Sequence, residues 1–285
     1  MTSHSDGFAR VEGNGEETIS LQAGKLPAHL TQPARKKTTM IEVRIHESIF
    51  NRYPSFRRGI VLAENMDNRG HSEGLESMLT QVVAEAAENP IDLRGDLRAV
   101  AWMEAHRQFH SNPNKFPPAH CALLKRVQKS GAQIPFINKV VAVMNYNSIL
   151  SKMPVGGDDI DKAGQTLELR YADGAETFTP LGQPGLTEHP EPGEIIYVVA
   201  ESNEVMCRRW NWRNGHTTLI DETTRRIVMN IDGLGEDSER QAVETRDRVA
   251  RMLEEFCGAK ITAALLEPSY PSCHLEGLTM SVASG

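Results

Sequence analysis

The chain has 285 residues, and its 31 Lys and Arg against 38 Asp and Glu give a formal net charge of −7. This balance argues against a protein that grips nucleic acid along an extended basic track, but it allows one that holds only the tip of a tRNA. An apolar fraction of 39% and a charged fraction of 24% argue against a membrane protein and a wholly disordered chain.

The N-terminal segment 1–39 is rich in Gly, Glu, Ser and Thr and is expected to be a disordered or extended tail. It has neither a signal-peptide core nor an Arg-rich amphipathic helix, and no stretch of the chain approaches the roughly 20 apolar residues of a membrane span. The four cysteines are far apart in sequence, which argues against a CxxC site or a disulfide framework. A cytoplasmic protein that does not contact the membrane is therefore expected.

The first half of the folded part is predicted to be mainly helical. Alternating Ile41, Val43 and Ile45 predict a half-buried strand, and the apolar run 59–63 predicts a buried one. Helical periodicity, capping residues and Pro or Gly stop signals then predict four helices, at 72–88, 96–109, 117–130 and 138–150.

The second of these helices is expected to turn Leu97, Val100, Ala101 and Phe109 inward. His106 and His110 lie four residues apart on it, a spacing at which two side chains can share a metal. Because no HExxH motif or carboxylate pair accompanies them, a surface pair is favoured, and neither a metal nor another cofactor is expected.

The second half is predicted to be mainly strand. A turn-rich loop at 154–162 precedes predicted strands at 167–171, 194–200, 204–213 and 226–232. A helix at 237–257 and a return at 261–266 follow, and no period is evident from Pro268 onward. Helices first, then a block of strands and a last helix, predict an α+β fold.

The most unusual segment is Cys207–His216, which holds two of the three tryptophans beside three arginines. On a strand, alternation places Arg208, Trp210 and Trp212 on one face and Arg209, Asn211 and Arg213 on the other. Indoles can stack and guanidiniums can bind carboxylate or phosphate. A tryptophan face in the core and a solvated arginine face are an equally good interpretation.

Two further segments carry polar groups of interest. Asn145 and Asn147 are costly inside a helix unless they are hydrogen-bonded, so they either orient a substrate or water or cap the next turn locally. Gly156 and Gly157 lead into Asp158 and offer backbone N–H groups to an anion. This loop lacks the spacing of a nucleotide phosphate loop, so the signal is weak.

Several motifs in order resemble one known family. The run Ile134–Tyr146 is similar to the helix that opens the B3/B4 tRNA-binding (editing) domain of the phenylalanyl-tRNA synthetase beta subunit. The chain resembles more closely the free-standing members of this family, with their PVGGxDxDK loop, PEPGE turn and CRRWNWR strand. Here these are Pro154–Lys162, Pro190–Glu194 and Cys207–Arg213, and the likeness spans roughly 42–260.

The resemblance implies an α+β fold with a mixed, barrel-like curved sheet flanked by helices. The expected organisation is one B3/B4-like domain at 40–266 with a C-terminal tail at 267–285. In the synthetase this domain hydrolyses tyrosine wrongly attached to its tRNA, by positioning a water and the ribose hydroxyl rather than by a nucleophilic side chain. A free-standing relative is therefore expected to deacylate a mischarged aminoacyl-tRNA in trans.

The resemblance also implies roles for particular residues. Asn145 is expected to orient the ester or water, and Gly156, Gly157 and Asp158 are expected to bind substrate. Asn230 is a further expected substrate contact. The others come from the CRRWNWR strand: phosphate or carbonyl binding by Arg208 or Arg209 and by Arg213, stacking or wall contacts by Trp210 and Trp212, and a contact from Asn211.

The chain departs from the synthetase at several pocket positions. A glutamate that reads the tyrosine hydroxyl corresponds to Asn230, and a pocket histidine corresponds to Gly156. Tryptophans also stand where the synthetase has a glycine-rich stretch. A reshaped amino-acid pocket is expected, and tyrosine specificity does not carry over.

Two alternatives remain open. The chain can be a tRNA-binding protein without hydrolytic activity, or a hydrolase or transferase acting on a small amino-acid derivative in a biosynthetic pathway. The expected partner is a tRNA acceptor end or an aminoacyl-nucleotide, and not DNA. The net charge of −7 mildly favours the small-molecule alternative over simple tRNA binding.

Overall fold

The computed structural model describes residues 38–129 and 131–278. In chain order the elements are β1 (Thr38–Ile45), α1 (Glu47–Arg52), β2 (Arg57–Glu64), α2 (Glu73–Glu88), α3 (Leu97–Gln108), α4 (Ala119–Val127), α5 (Lys139–Ser151), β3 (Val155–Asp159), β4 (Thr166–Tyr171), β5 (Ile195–Val199), β6 (Glu204–Arg208), β7 (Arg213–Asn214), β8 (Ile227–Gly233), α6 (Ser238–Cys257), β9 (Lys260–Leu266) and β10 (Ser272–Leu278). The predicted α+β class is confirmed.

The strands form two sheets rather than the expected single barrel-like one. Sheet A has six strands in the order β10-β1-β4-β5-β6-β7, and sheet B has four in the order β3-β8-β2-β9. Only the β1–β4 pair is parallel among the named strand pairs of the described residues. Neither sheet is closed on itself in the part of the chain that is described.

Two large hydrophobic layers and a small cluster around Phe178, Ile196 and Val198 form the core of the described residues. The first lies between the sheets, where Val43, Leu167 and Ile195 of sheet A join Ile60 and Val228 of sheet B. The second lies on the opposite face of sheet B, where α2, α4, α5 and α6 cover it with apolar side chains. Because successive strand residues point to opposite faces, alternate positions of β2, β3 and β8 face either sheet A or the helices.

Helix α2 forms where its sequence predicts. Ser72 adopts an extended conformation and its hydroxyl accepts a hydrogen bond from the Leu75 amide, which caps the helix. Leu75, Leu79 and Val82 recur at helical spacing and are buried. The helix therefore packs as predicted.

The orientation predicted for α3 is confirmed for Phe109, which is buried, and for Ala101, which packs against the core, but it is wrong for Leu97 and Val100. Leu97 is 77% exposed and Val100 is also exposed, whereas Trp102 and His106 are buried. The helix is rotated so that the indole of Trp102 reaches the core, because a tryptophan buries more apolar area than a leucine or a valine. His106 is consequently a core residue, and His110 lies beyond the helix at φ 62°, so the two do not form a surface pair.

Two segments predicted without regular structure contain strands. The loop predicted at 154–162 contains β3, which pairs with β8 in register Gly156↔Asn230. The tail predicted at 267–285 contains β10, which pairs with β1 in register Val43↔Cys273. Of the predicted tail 1–39, residues 1–37 lie outside the described part. No helix within the described ranges is long and apolar enough to cross a membrane.

Candidate functional site between the two sheets

The segment after β6 turns sharply instead of continuing as the predicted strand. Arg209 and Trp210 have φ values of 48° and 64°, in the left-handed region that non-glycine residues seldom adopt. The chain then re-pairs through the short β7, with Cys207 opposite Asn214. Strand alternation does not apply across this turn, so the faces predicted for 208–213 are wrong.

Arg208 forms ion pairs with two glutamates. Its guanidinium donates to both carboxylate oxygens of Glu194 at 3.0 and 2.8 Å and to Glu188 at 2.7 Å. Arg208 and Glu194 are both buried. Because the charge is neutralised inside the fold, Arg208 is a structural residue and does not offer its guanidinium to a phosphate.

Arg209 is also buried and held in place. Its backbone N–H donates to Glu194 at 3.0 Å, and its guanidinium lies 4.0 Å from the centre of the Phe116 ring. Glu191 and Glu194 lie 3.5 and 3.6 Å from its Nη2. The PEPGE turn therefore supplies the carboxylates that fix both adjacent arginines.

Trp210 belongs to the core and not to a ligand-facing wall. It is 2% exposed, and its ring meets Tyr53, Phe56 and Trp102 edge-on at 4.9 to 5.0 Å between centroids. Such perpendicular contacts are favourable for aromatic rings. Stacking of Trp210 on a terminal adenosine, as the resemblance implies, is incompatible with this burial.

The last three residues of the segment are one buried residue and two partly exposed ones. Asn211 is buried, and its Oδ1 lies 3.2 Å from His106 Nε2. Trp212 and Arg213 are partly exposed: the indole packs on Phe116 at 4.7 Å, and Arg213 lies 3.4 Å from Glu188. Of the six predicted contacts in this segment, only Trp212 and Arg213 keep surface for a ligand.

A second group of predicted residues does converge between the sheets. Gly156 lies opposite Asn230 on neighbouring strands of sheet B, and Asp158 lies two residues further along β3. Alternation places all three on the face directed at sheet A. A Cβ added to Gly156 meets nothing within 4 Å, so the glycine leaves open space in front of Asn230.

Gly157 does not share this environment. A Cβ at Gly157 lies 3.0 Å from the Met229 side chain and 3.2 Å from the Val228 carbonyl oxygen, on the helix-covered face of sheet B. Only glycine fits there without displacing Met229. Gly157 thus permits close packing, and Gly156 alone of the pair opens space between the sheets.

Three residues of this inter-sheet cluster were missed by the sequence analysis. Arg58 forms two hydrogen bonds with Asp232, at 2.6 and 2.8 Å, and its guanidinium lies 4.9 Å from the Tyr197 ring centre. Tyr197 extends from β5 of sheet A toward Arg58 and Asn230. The only signals were a tyrosine within an apolar strand and an arginine before Gly59, and neither identifies its partner.

Several polar atoms of the cluster have no protein partner. Tyr197 Oη, Asn230 Oδ1 and Arg58 Nη1 are buried and form no hydrogen bond of good geometry among the described residues, although the Asn230 side chain lies close enough to the Tyr197 hydroxyl to lower its pKa. Buried polar groups are normally satisfied, so a bound water or ligand is one way in which these atoms can be satisfied. Burial raises the pKa of Tyr197, so its hydroxyl stays protonated.

Asp158 is the titratable carboxyl of the cluster. Thr218 donates a hydrogen bond of 2.6 Å to its Oδ1. Burial raises the pKa of Asp158 to about 6, while Thr218 and Arg58 act in the opposite direction. A buried carboxyl with a raised pKa beside open space is a candidate functional group.

Asn145 lies elsewhere. It is a half-buried residue of α5, in the helix layer that covers the other face of sheet B. Its neighbour Asn147 is buried and engaged: it donates to the Val143 carbonyl at 2.8 Å and accepts from Arg248 at 2.8 Å. The structure therefore separates Asn145 from Gly156, Asp158 and Asn230.

Within the described ranges, no group of three or more His, Cys, Asp or Glu side chains is placed to hold a metal ion. The candidate site is thus built from Gly156, Asp158, Tyr197, Asn230 and the Arg58–Asp232 pair. These groups can hydrogen-bond a polar ligand and polarise one of its bonds.

Comparison with family models identifies the family of the chain. The family model described as "B3/4 domain" matches residues 101–258, more than half of the chain, and this range includes β3, β5 and β8. The chain belongs to the B3/4 domain family. The segments that the resemblance rested on, including Pro154–Lys162 and Cys207–Arg213, lie within the matched range.

A comparison with solved structures finds an N-terminal fragment of the phenylalanyl-tRNA synthetase beta-subunit from Pyrococcus horikoshii. The likeness has a TM-score of 0.41 and 12% sequence identity, and it covers 81% of this B3/4 chain. The chain spans about half of that fragment, 52% of its length. No curated protein matches the chain.

Proposed function

We propose that this B3/4 domain protein hydrolyses the ester bond of an aminoacyl-tRNA in trans, in the space between its two sheets. The observation that carries the proposal is the open space at Gly156, which faces the unpartnered polar atoms of Asn230 and Tyr197. Gly156 is only half-buried, so this end of the cluster is reached from solvent. The choice of aminoacyl-tRNA as the substrate rests on the family motifs, which occur in the same order as in the editing domain.

The proposed mechanism relies on positioning. The aminoacyl group enters beside Gly156, and the Tyr197 hydroxyl donates to the ester carbonyl oxygen as negative charge develops on it. Asn230 holds the attacking water through its side-chain oxygen. Water adds to the carbonyl carbon, the bond to the ribose oxygen breaks, and a free amino acid and a ribose hydroxyl result.

No covalent intermediate is invoked in this proposal. Cys207 is the thiol nearest the cluster, and burial raises its pKa, so it stays protonated. A protonated, buried thiol is a poor nucleophile. Asn145 takes no part in the proposed reaction, because α5 packs on the face of sheet B opposite the open space.

The acceptor end of the tRNA is proposed to contact Trp212 and Arg213. Both are partly exposed, and Arg213 lies 5.8 Å from the Trp212 ring centre. An indole with an adjacent guanidinium can stack on a base and bind a phosphate. Arg208 and Arg209 take no part, since their charges are satisfied by glutamates.

The proposal is tested by incubating the full chain with a panel of misacylated tRNAs and measuring deacylation. Turnover well above the spontaneous rate for at least one member is expected. Folded protein that binds tRNA in a salt-dependent way but hydrolyses none of the panel contradicts the proposal and favours the non-catalytic alternative.

A second candidate is a hydrolase or transferase acting on a small amino-acid derivative. The neutralisation of Arg208 and Arg209 by Glu188, Glu191 and Glu194 favours it, because it leaves little positive charge for a tRNA backbone. Arg213→Ala separates the two. It weakens tRNA binding if Arg213 contacts phosphate, and it leaves the hydrolysis of small amino-acid esters unchanged.

A further inference from the structure

Asp158 differs from every other buried carboxylate of the described residues in one respect. It has no cationic side chain within 4 Å, whereas the other six each form an ion pair. The paired ones are Glu64 with Arg226, Asp159 with Lys162, Glu168 with Arg44, Glu176 with Arg170, Glu194 with Arg208, and Asp232 with Arg58.

An unpaired buried carboxylate is costly, because the charge is removed from water without compensation. Thr218 donates a hydrogen bond to Oδ1 of Asp158. Oδ2 of Asp158 forms no hydrogen bond in the described part of the chain. With a pKa of about 6 the group is still mostly ionised at pH 7. The fold therefore maintains a negative charge for which its own side chains supply no counter-ion.

The charges around Asp158 define what a ligand there must carry. Arg58 on β2 contributes one positive charge and Asp232 on β8 cancels it through their direct pair. Tyr197 on β5 and Cys207 on β6 also act on this region and are neutral, because burial raises the pKa of each. Asp159, on the same strand, is directed to the opposite face of sheet B by strand alternation and shares Lys162 with Asp221. The inter-sheet cluster thus has a net charge of −1.

We propose that Asp158 is the binding partner of a primary ammonium group, the α-ammonium of the aminoacyl ligand. An ammonium has three N–H donors and no acceptor. Asp158 Oδ2 accepts one donor. Asn230 Oδ1 accepts a second through the lone pair that the water leaves free, and Tyr197 Oη accepts a third while its proton is donated to the ester carbonyl. This inference rests on the proposed function only in taking the bound group to be aminoacyl.

The inference restricts the substrate class. Aminoacyl compounds with a free α-amine bind, and their N-acylated counterparts do not, because an amide nitrogen carries no charge to pair with Asp158. Gly156, which leaves space on the same face of β3, accommodates the rest of the aminoacyl group. The specificity for an amine is therefore separate from the choice of amino-acid side chain.

The first experiment measures binding without requiring catalysis. The probes are the methyl esters of L-alanine, L-phenylalanine and L-tyrosine and their N-acetyl derivatives, added to full-length protein with ¹³C-labelled aspartate carboxyls. We expect at least one free-amine ester to lower the pKa of Asp158 below its unliganded value, while its N-acetyl derivative leaves it unchanged. Equal binding of the two forms overturns the inference, as does no binding of any free-amine ester.

A matched pair of variants completes the test. Asp158→Asn keeps the shape and the Thr218 hydrogen bond but removes the charge, and we expect it to weaken binding of the free-amine ester by roughly 30-fold or more. Glu222→Gln, which removes one negative charge from an exposed side chain, retains wild-type affinity. An Asp158→Asn protein that binds the ester as tightly as the wild type contradicts the inference.

These results separate the inference from the proposed function. If free-amine esters bind through Asp158 but no misacylated tRNA is hydrolysed, the ammonium site stands and tRNA editing fails. If misacylated tRNAs are hydrolysed whether or not their amine is acetylated, editing stands and the ammonium site fails.

Discussion

Arg58 and Asp232, 174 residues apart in sequence, face each other on adjacent strands of sheet B and share two hydrogen bonds of 2.6 and 2.8 Å. Both side chains are almost completely buried. The pair lies in the layer between the sheets, beside the buried Asp158 and Asn230, and the Arg58 guanidinium lies against Tyr197. It therefore fixes β2, β8 and the tyrosine of sheet A relative to one another.

Removing Arg58 alone is expected to destabilise the fold strongly. Arg58→Met leaves Asp232 buried without a counter-ion, which typically costs about 3 to 5 kcal/mol. Urea unfolding measures the loss. The double variant Arg58→Met/Asp232→Leu removes both charges and is expected to recover much of it. A single variant as stable as wild type contradicts this account of the pair.

The sequence predicts the elements of this fold better than their partners. Ser72 and the spacing of Leu75, Leu79 and Val82 identify α2, because capping and periodicity are local. The two-sheet arrangement and the pairing of β10 with β1 depend on contacts between distant residues, which one sequence does not reveal. The rotation of α3 was mispredicted because Trp102 outweighs Leu97 and Val100 in the area it buries.

The residues of the candidate site were likewise predicted better than their surroundings. Gly156 and Asp158 were indicated by a glycine pattern as well as by the family resemblance, Asn230 by the resemblance alone, and strand pairing brings the three together. Arg208 and Trp210 were misassigned because strand alternation fails at the left-handed turn of Arg209 and Trp210. Neither the turn nor the neutralising glutamates could be recognised from spacing alone.

Trp210 is expected to be a stability residue. Trp210→Ala removes a ring in contact with Tyr53, Phe56 and Trp102 and is expected to cost about 3 to 5 kcal/mol. Trp212→Ala is the matched control, since Trp212 is partly exposed, and it should cost much less. Chemical unfolding measures both. Equal losses for the two variants contradict the placement of Trp210 in the core.

The two buried histidines are expected to lower the free energy of unfolding as the pH falls. Burial lowers the pKa of His106 to about 4 and that of His120 to about 3, against an ordinary value of 6.5. Below pH 6.5 the unfolded chain therefore binds protons that the folded chain does not, and stability falls as pH falls.

His120→Phe isolates one of these groups. The substitution keeps an aromatic ring beside Trp102 and removes one titratable imidazole. Below pH 6.5, the unfolding free energy of wild type should fall more steeply than that of the variant, by about 1.4 kcal/mol per pH unit. Parallel curves between pH 6.5 and 5 contradict the assignment of His120 as a buried neutral imidazole.

The effect of Asp158 on stability has the opposite pH dependence to that of the buried histidines. Its pKa is raised from 3.8 to about 6, so its ionisation costs stability as pH rises through this range. Asp158→Asn is therefore expected to be more stable than wild type above pH 6, by at most about 3 kcal/mol, and equal to it below pH 3.8. Unfolding curves across pH measure the difference. A destabilised Asp158→Asn protein at pH 8 contradicts an unpaired carboxylate.

Such a gain in stability accompanied by a loss of ligand binding is typical of functional groups, which proteins retain despite their cost. It also distinguishes Asp158 from Asp232, whose removal alone leaves Arg58 buried and unpaired.

The most direct test of hydrolysis between the sheets compares two glycine variants on a misacylated tRNA that the wild type deacylates. A Cβ meets nothing within 4 Å at either Gly156 or Gly185, and neither has a positive φ. Both Gly156→Leu and Gly185→Leu should therefore fold, which thermal unfolding checks. Gly156→Leu is expected to lower kcat/KM by roughly 100-fold by displacing the ester, and Gly185→Leu to leave it unchanged. A folded Gly156→Leu protein that deacylates at the wild-type rate would contradict a site between the sheets.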